Sequence, residues 1–267
     1  MKIHYSKKVG TLRARALTVF GAAVVSSALL LTGMANAAAL KANLNASTTG
    51  VVVNTSADIS VNTTHLQNIL TKGNQEIERR LATLNSLTSK ITGATKLNAS
   101  DKATLSAEVS TTMSGLTSLK AQLNASTTLA AAIASAQDIY TQYRVYALVA
   151  PKVGLVKVAD DQQAIEAKLT ALAQKLQTRL AAEQQAGKNV AALKADLSDM
   201  NAKVSAAQSI SANVESTIID LQPSDYNSNH SILVGVNAQL KTAHTDIVAA
   251  YGDAKNIIAG LKSLKSL

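Results

Sequence analysis

Residues 233–264 read LVGVNAQLKTAHTDIVAAYGDAKNIIAGLKSL, and the spacing of their apolar positions decides the fold. Leu233, Val236, Leu240, Ala243, Ile247, Ala250, Ala254, Ile257, Leu261 and Leu264 step by three and four without an exception. Such steps keep one face of an α-helix apolar for about four and a half heptads, the pattern of a coiled-coil seam. Alanine at many of these steps lets a second helix approach closely. The stretch therefore predicts a long helix packed against other helices of the same chain.

The same spacing recurs upstream. Leu66, Leu70, Gly73, Ile77, Leu81, Leu84, Leu87 and Ile91 mark one helix, stopped by Gly93. On its opposite side Glu76 and Arg80, four apart, read as a solvated pair. A second helix follows Leu97-Asn98-Ala99-Ser100-Asp101, with Ser100 as cap and Asp101 at the positive helix end. Its buried face is Leu105, Val109, Met113, Leu116, Leu119 and Leu123. Leu-Asn-Ala-Ser recurs at 44–47, 97–100 and 123–126 as a turn device.

The third helix runs from Leu129 into Tyr140, Tyr143 and Ala147, and Pro151 predicts a break because proline has no N–H to donate. Asp160 and Asp161 then suit the first turn of a fourth helix with the face Ile165, Leu169, Leu172, Leu176 and Leu180. A helix over 160–186 would be about 40 Å long. Gly187 and Asn189 read as a stop and a new cap, and Pro223 closes the fifth helix. The expectation is an all-α fold: an elongated antiparallel bundle of about six long helices with coiled-coil-like seams, broken at Pro151.

Composition agrees with helices and excludes several chemistries. Only seven of 267 residues are aromatic, and tryptophan is absent. With no cysteine there are no disulfides, thiolate metal sites or cysteine nucleophiles. The formal charge of +9 misleads, because Lys2, Lys7, Lys8, Arg13 and Arg15 supply five of those charges and leave +4 beyond residue 37. No basic stripe with interleaved aromatics follows, so nucleic acid is not an expected partner.

Those five charges precede an uncharged apolar run, residues 16–31, and Ala35-Asn36-Ala37. This is the n-region, h-region and cleavage site of an export signal over 1–37. An uncleaved membrane anchor is the rival reading, and the membrane is a partner only through that segment. Residues 38–57 read as a flexible leader, and 58–267 as the helical domain.

Tyr143-Arg144-Val145-Tyr146-Ala147-Leu148-Val149-Ala150-Pro151-Lys152, Ala159-Asp160 and Leu197-Ser198-Asp199-Met200-Asn201-Ala202-Lys203 carry a resemblance. They are similar to an uncharacterised group of exported, all-helical proteins of the Patescibacteria (candidate phyla radiation), over about Ile77 to Leu264. The resemblance implies a fold and an address but no chemistry.

Motifs for catalysis are missing from the sequence. His4, His65, His230 and His244 are scattered, and there is no His-Glu-x-x-His, phosphate loop or dinucleotide fingerprint. Asp160-Asp161 could hold a cation, but a helix N-terminus explains both, so no metal and no cofactor are expected. Asp199 and Lys203 read as an exposed ion pair. Candidate partner-binding residues are Tyr140, Arg144 and Tyr146, with Arg144 one turn from Tyr140 and within cation–π reach. Tyr143, shared by both phases of the helix, is expected to be the most buried of the three tyrosines.

The function expected from all this is a non-enzymatic structural or binding protein at or outside the cell envelope, its partner an unknown protein or envelope component. A membrane-active protein inserting residues 145–159, or a membrane-anchored extracytoplasmic sensor, is the alternative.

Overall fold

The structure, a computed structural model, describes residues 56–264, so residues 1–37, read as an export signal, and nearly all of 38–57, read as a leader, lie outside the described residues. Its elements are α1 (Ser56–Gly93), α2 (Ala99–Asn124), α3 (Leu129–Thr141), a π-helical turn (Val145–Val149), α4 (Ala150–Gln185), α5 (Ala191–Ile218), α6 (Pro223–Ser228) and α7 (Ile232–Ser263). No strand occurs among the described residues. The protein is an all-α bundle.

Cross-helix pairs fix the directions. Asn74 of α1 meets Asn124 of α2, and Glu78 meets Lys120, so these helices are antiparallel. Gln163 and Thr170 of α4 meet Glu215 and Gln208 of α5, again antiparallel. Lys203 of α5 bonds Asp253 of α7 at 3.0 Å, and Gln162 of α4 reaches the Leu240 carbonyl of α7 at 2.9 Å. Thus α4 and α7 run alongside in one direction, with α5 opposed to both.

Two cores result. One joins Ile77, Leu84, Leu105, Leu116, Ile139, Val145 and Val156 to Val214, Ile218, Val236 and Leu240. The other fills the far end of α4, α5 and α7, from Leu169 to Leu180, Leu197 to Ala207 and Ala243 to Leu261. The α7 face is the one its spacing predicts: Val236, Leu240, Ala243, Ile247, Ala250, Ala254, Ile257 and Leu261 are all buried. Small residues set the approach here, since the Leu193 side chain lies directly on Gly260 and leaves no room for a Cβ.

The expected break at Pro151 is displaced. The third helix stops at Thr141, and the chain turns through Arg144, whose φ of 42° is left-handed. Pro151 instead sits in the first turn of α4. A proline leaves the carbonyl four residues back without a donor and crowds it. The preceding turn is wider for that reason: Val149 N–H bonds the Arg144 carbonyl at 3.2 Å, five residues away. With its start at Ala150, α4 spans 36 residues, about 54 Å. Asp160 and Asp161 are therefore inside a helix rather than in its first turn.

Two smaller corrections belong here. Asn98, not Ser100, caps α2, its Oδ1 accepting from the Asp101 N–H at 2.8 Å. Leu129 and Tyr140 are not on the buried seam of α3, which Ala132, Ala136 and Ile139 form.

Candidate functional site

Tyr140 lies near the end of α3 and Tyr146 in the π-helical turn, on either side of the left-handed Arg144, and both rings meet one cation. Between them is Arg80 of α1, its guanidinium 4.6 Å from one ring centroid and 4.9 Å from the other. Arg80 is buried and pairs with Glu76 one turn earlier, also buried. The solvated pair of the sequence reading is thus interior. Burial, reinforced by the Glu76 charge and opposed by Arg80, pushes the Tyr140 hydroxyl up to about 12. It stays protonated at any physiological pH.

Arg144 does not reach Tyr140. Its left-handed backbone ends the helical register that would have placed the two a turn apart, and its Nε donates to Asn227 Oδ1 of α6 at 2.7 Å. Its guanidinium lies 5.7 Å from the Tyr226 ring. Tyr140, Tyr143 and Tyr146 are all half-buried, so Tyr143 is not set apart as expected. Its ring lies on Gly115 of α2, where a Cβ would collide with it.

A second cluster surrounds Lys152, which is fully buried. Its ammonium donates to the carbonyls of Ile219 and Leu221 at 3.0 and 2.7 Å, and pairs with Glu108 Oε2 at 2.8 Å. A lysine has three N–H donors, and all three are used. The carbonyls follow the C-terminal end of α5, where helix geometry leaves acceptors over. Burial raises the Glu108 carboxyl, with Lys152 opposing the shift.

The third cluster gathers Asp101 from the first turn of α2, Asp160 from α4 and Glu215 from α5. Each offers a carboxylate oxygen, and all three oxygens lie within 4.8 Å of one another. Asp160 accepts from the backbone N–H and Nδ2 of Asn98 at 2.8 and 3.1 Å, anchoring the turn that opens α2. Glu215 accepts from Gln163, and from Asn98 Nδ2 at 3.4 Å. Asp101 Oδ2 is sealed from solvent without a hydrogen-bond partner. Burial first, then the charges of Glu215 and Asp160, push the Asp101 carboxyl up to about 6. Burial likewise raises Asp160.

Sequence reasoning singled out Asp160 but gave it the wrong companion. Asp161 turns away to Lys157 at 2.6 Å and Lys96 at 3.7 Å. Asp101 and Glu215 come from 59 residues before Asp160 and 55 after it, and no local spacing signals such a meeting. The exposed pair Asp199–Lys203 is present as read, at 2.5 Å, with Asp253 as a second partner of Lys203. His65 and His230 are exposed and His244 half-buried. The chain matches no protein-family model, no curated protein and no solved structure.

Proposed function

We propose that this chain is an exported, non-enzymatic helical protein that serves as a structural or binding element at or outside the cell envelope. The observation that carries the proposal is the use made of its interior polar groups. Arg80 ties α1 to Tyr140 and Tyr146, and Lys152 ties α4 to α2 and to the end of α5. Gln162 ties α4 to α7, and Ser211 of α5 donates to Glu166 of α4 at 2.8 Å. Side chains that could perform acid–base chemistry are thus engaged in holding helices together. A sustained investment in interhelical ties suits a protein whose product is its own shape.

The export half of the proposal is supported by residues 1–37, and the resemblance to exported Patescibacterial helical proteins points to the same address. The alternative, insertion of residues 145–159 into a membrane, meets an interior already in use. Val145, Leu148, Val149, Val153, Val156 and Ala159 are buried within the bundle, and among the described residues no helix is long and apolar enough to cross a membrane.

Pull-down from envelope extracts, run beside a liposome-leakage assay, separates the two. Retention of an envelope protein or polymer with intact liposomes is expected. Leakage at comparable protein concentration would replace the proposal with the membrane-active reading.

A further inference from the structure

We propose that Asp101, Asp160 and Glu215 form a binding site for a hard divalent cation of the calcium type, which ties the start of α2 to α4 and α5. The donor set is all oxygen, the choice of calcium and magnesium rather than of softer metals. Oxygens within 4.8 Å of one another can surround one ion at the calcium bond length of about 2.3–2.6 Å. Asp101 and Asp160 are 5% and 4% exposed, whereas Glu215 is half-buried and gives the ion a way in.

Two observations set this cluster apart from an ordinary acidic patch. Asp101 Oδ2 is buried with no donor, although a buried acceptor left unpaired is costly and rare. Moreover, no lysine or arginine among the described residues pairs with any of the three, while the half-buried Glu108 has Lys152. The nearby Lys96 and Lys157 both go to Asp161. The positive end of α2 supplies about half a charge against three carboxylates, which leaves a large excess. Asn98 and Gln163 each occupy only part of the capacity of Asp160 and Glu215, because every carboxylate oxygen has two lone pairs. The reading is independent of export and of any partner.

The test is thermal unfolding of the full-length chain with calcium, magnesium or an equal ionic strength of sodium. A site of about 1 mM affinity, ordinary for an exposed module, gives a rise in Tm of roughly 3–6 °C at about 10 mM calcium. Magnesium, which keeps its waters, gives less, and sodium gives none. In Asp101→Asn and in Glu215→Gln the cation-free Tm rises, because a buried like charge is gone, and the calcium increment disappears. Asp199→Asn, in the exposed pair with Lys203, keeps the increment. A wild-type Tm unmoved by calcium overturns the proposal, and so does an increment that survives in Asp101→Asn.

Discussion

Lys152 of α4 and Glu108 of α2 meet at 2.8 Å inside the bundle, the lysine completely buried and the glutamate at the edge of solvent. The pair forms where α5 ends, so one ammonium settles a carboxylate and two leftover carbonyls together. Lys152→Met should cost about 3–5 kcal/mol, because it strands the half-buried Glu108 carboxylate and two buried acceptors. Adding Glu108→Gln to Lys152→Met should recover part of that loss. Urea unfolding of wild type, the two single variants and the double variant measures it, and an additive double variant would contradict the coupling.

Glu166 gives a pH signature. It is 1% exposed, accepts from Ser211, and burial raises its carboxyl above 4.5. A folded-state value above the unfolded one means the folded protein holds the proton more tightly. The penalty for burying the charge is therefore absent below pH 4.5 and grows as pH rises through the folded value. Glu166→Gln, which has no proton to lose, should raise Tm at neutral pH, and the gain should vanish toward pH 4. A gain independent of pH would locate its cause elsewhere.

Tyr143 and Gly115 form a test of close packing. Gly115→Ala improves helix propensity by up to about 1 kcal/mol, but its Cβ would strike the Tyr143 ring. The clash dominates, with an expected net loss of about 1–3 kcal/mol. In a Tyr143→Ala background the obstacle is gone, and Gly115→Ala should stabilise by roughly 0.5–1 kcal/mol. The reversal of sign is the measurement.

Arg80→Met removes the cation held between two tyrosines and leaves buried Glu76 with only the exposed Arg79, at 3.5 Å. A loss of about 3–5 kcal/mol is expected, against less than about 1 kcal/mol for a solvated surface pair. Chemical denaturation distinguishes these outcomes directly.

Processing after Ala37 should leave a mature chain starting at Ala38. Mass spectrometry of protein from its producing cell checks this, and an intact Met1 would indicate an anchor.

Helices and their buried faces were legible because apolar spacing is local. The seam of α7 and the stop at Gly93 are both where the spacing puts them. Pro151 was misread because a proline stops a helix from within yet starts one from its first turn, and only the left-handed Arg144 decides which. Nothing in an arginine codon advertises positive φ. Glu76 and Arg80 were misread as solvent-facing because charge usually is. Arg80 nevertheless falls three after Ile77 and four before Leu84, on the apolar face, and that was the available signal. The Asp101–Asp160–Glu215 meeting left no trace at all, since three helices must pack before it exists.

The first core closes Ile77 and Leu84 against Val236 and Leu240, more than 150 residues later. Synthesis and passage across a membrane both deliver a chain from its N-terminus, at about 5–20 residues per second on the ribosome. Helices α1 to α3 therefore emerge with their shared face uncovered and wait for at least several seconds. During that interval α1, α2 and α3 can pack on one another, but the part of the core that later helices supply stays open. A nascent segment that stays open is one a translocation channel can still thread and a holding chaperone can still grip. Because Val236 and Leu240 come from the last helix, the first core is complete only when nearly the whole polypeptide has been made.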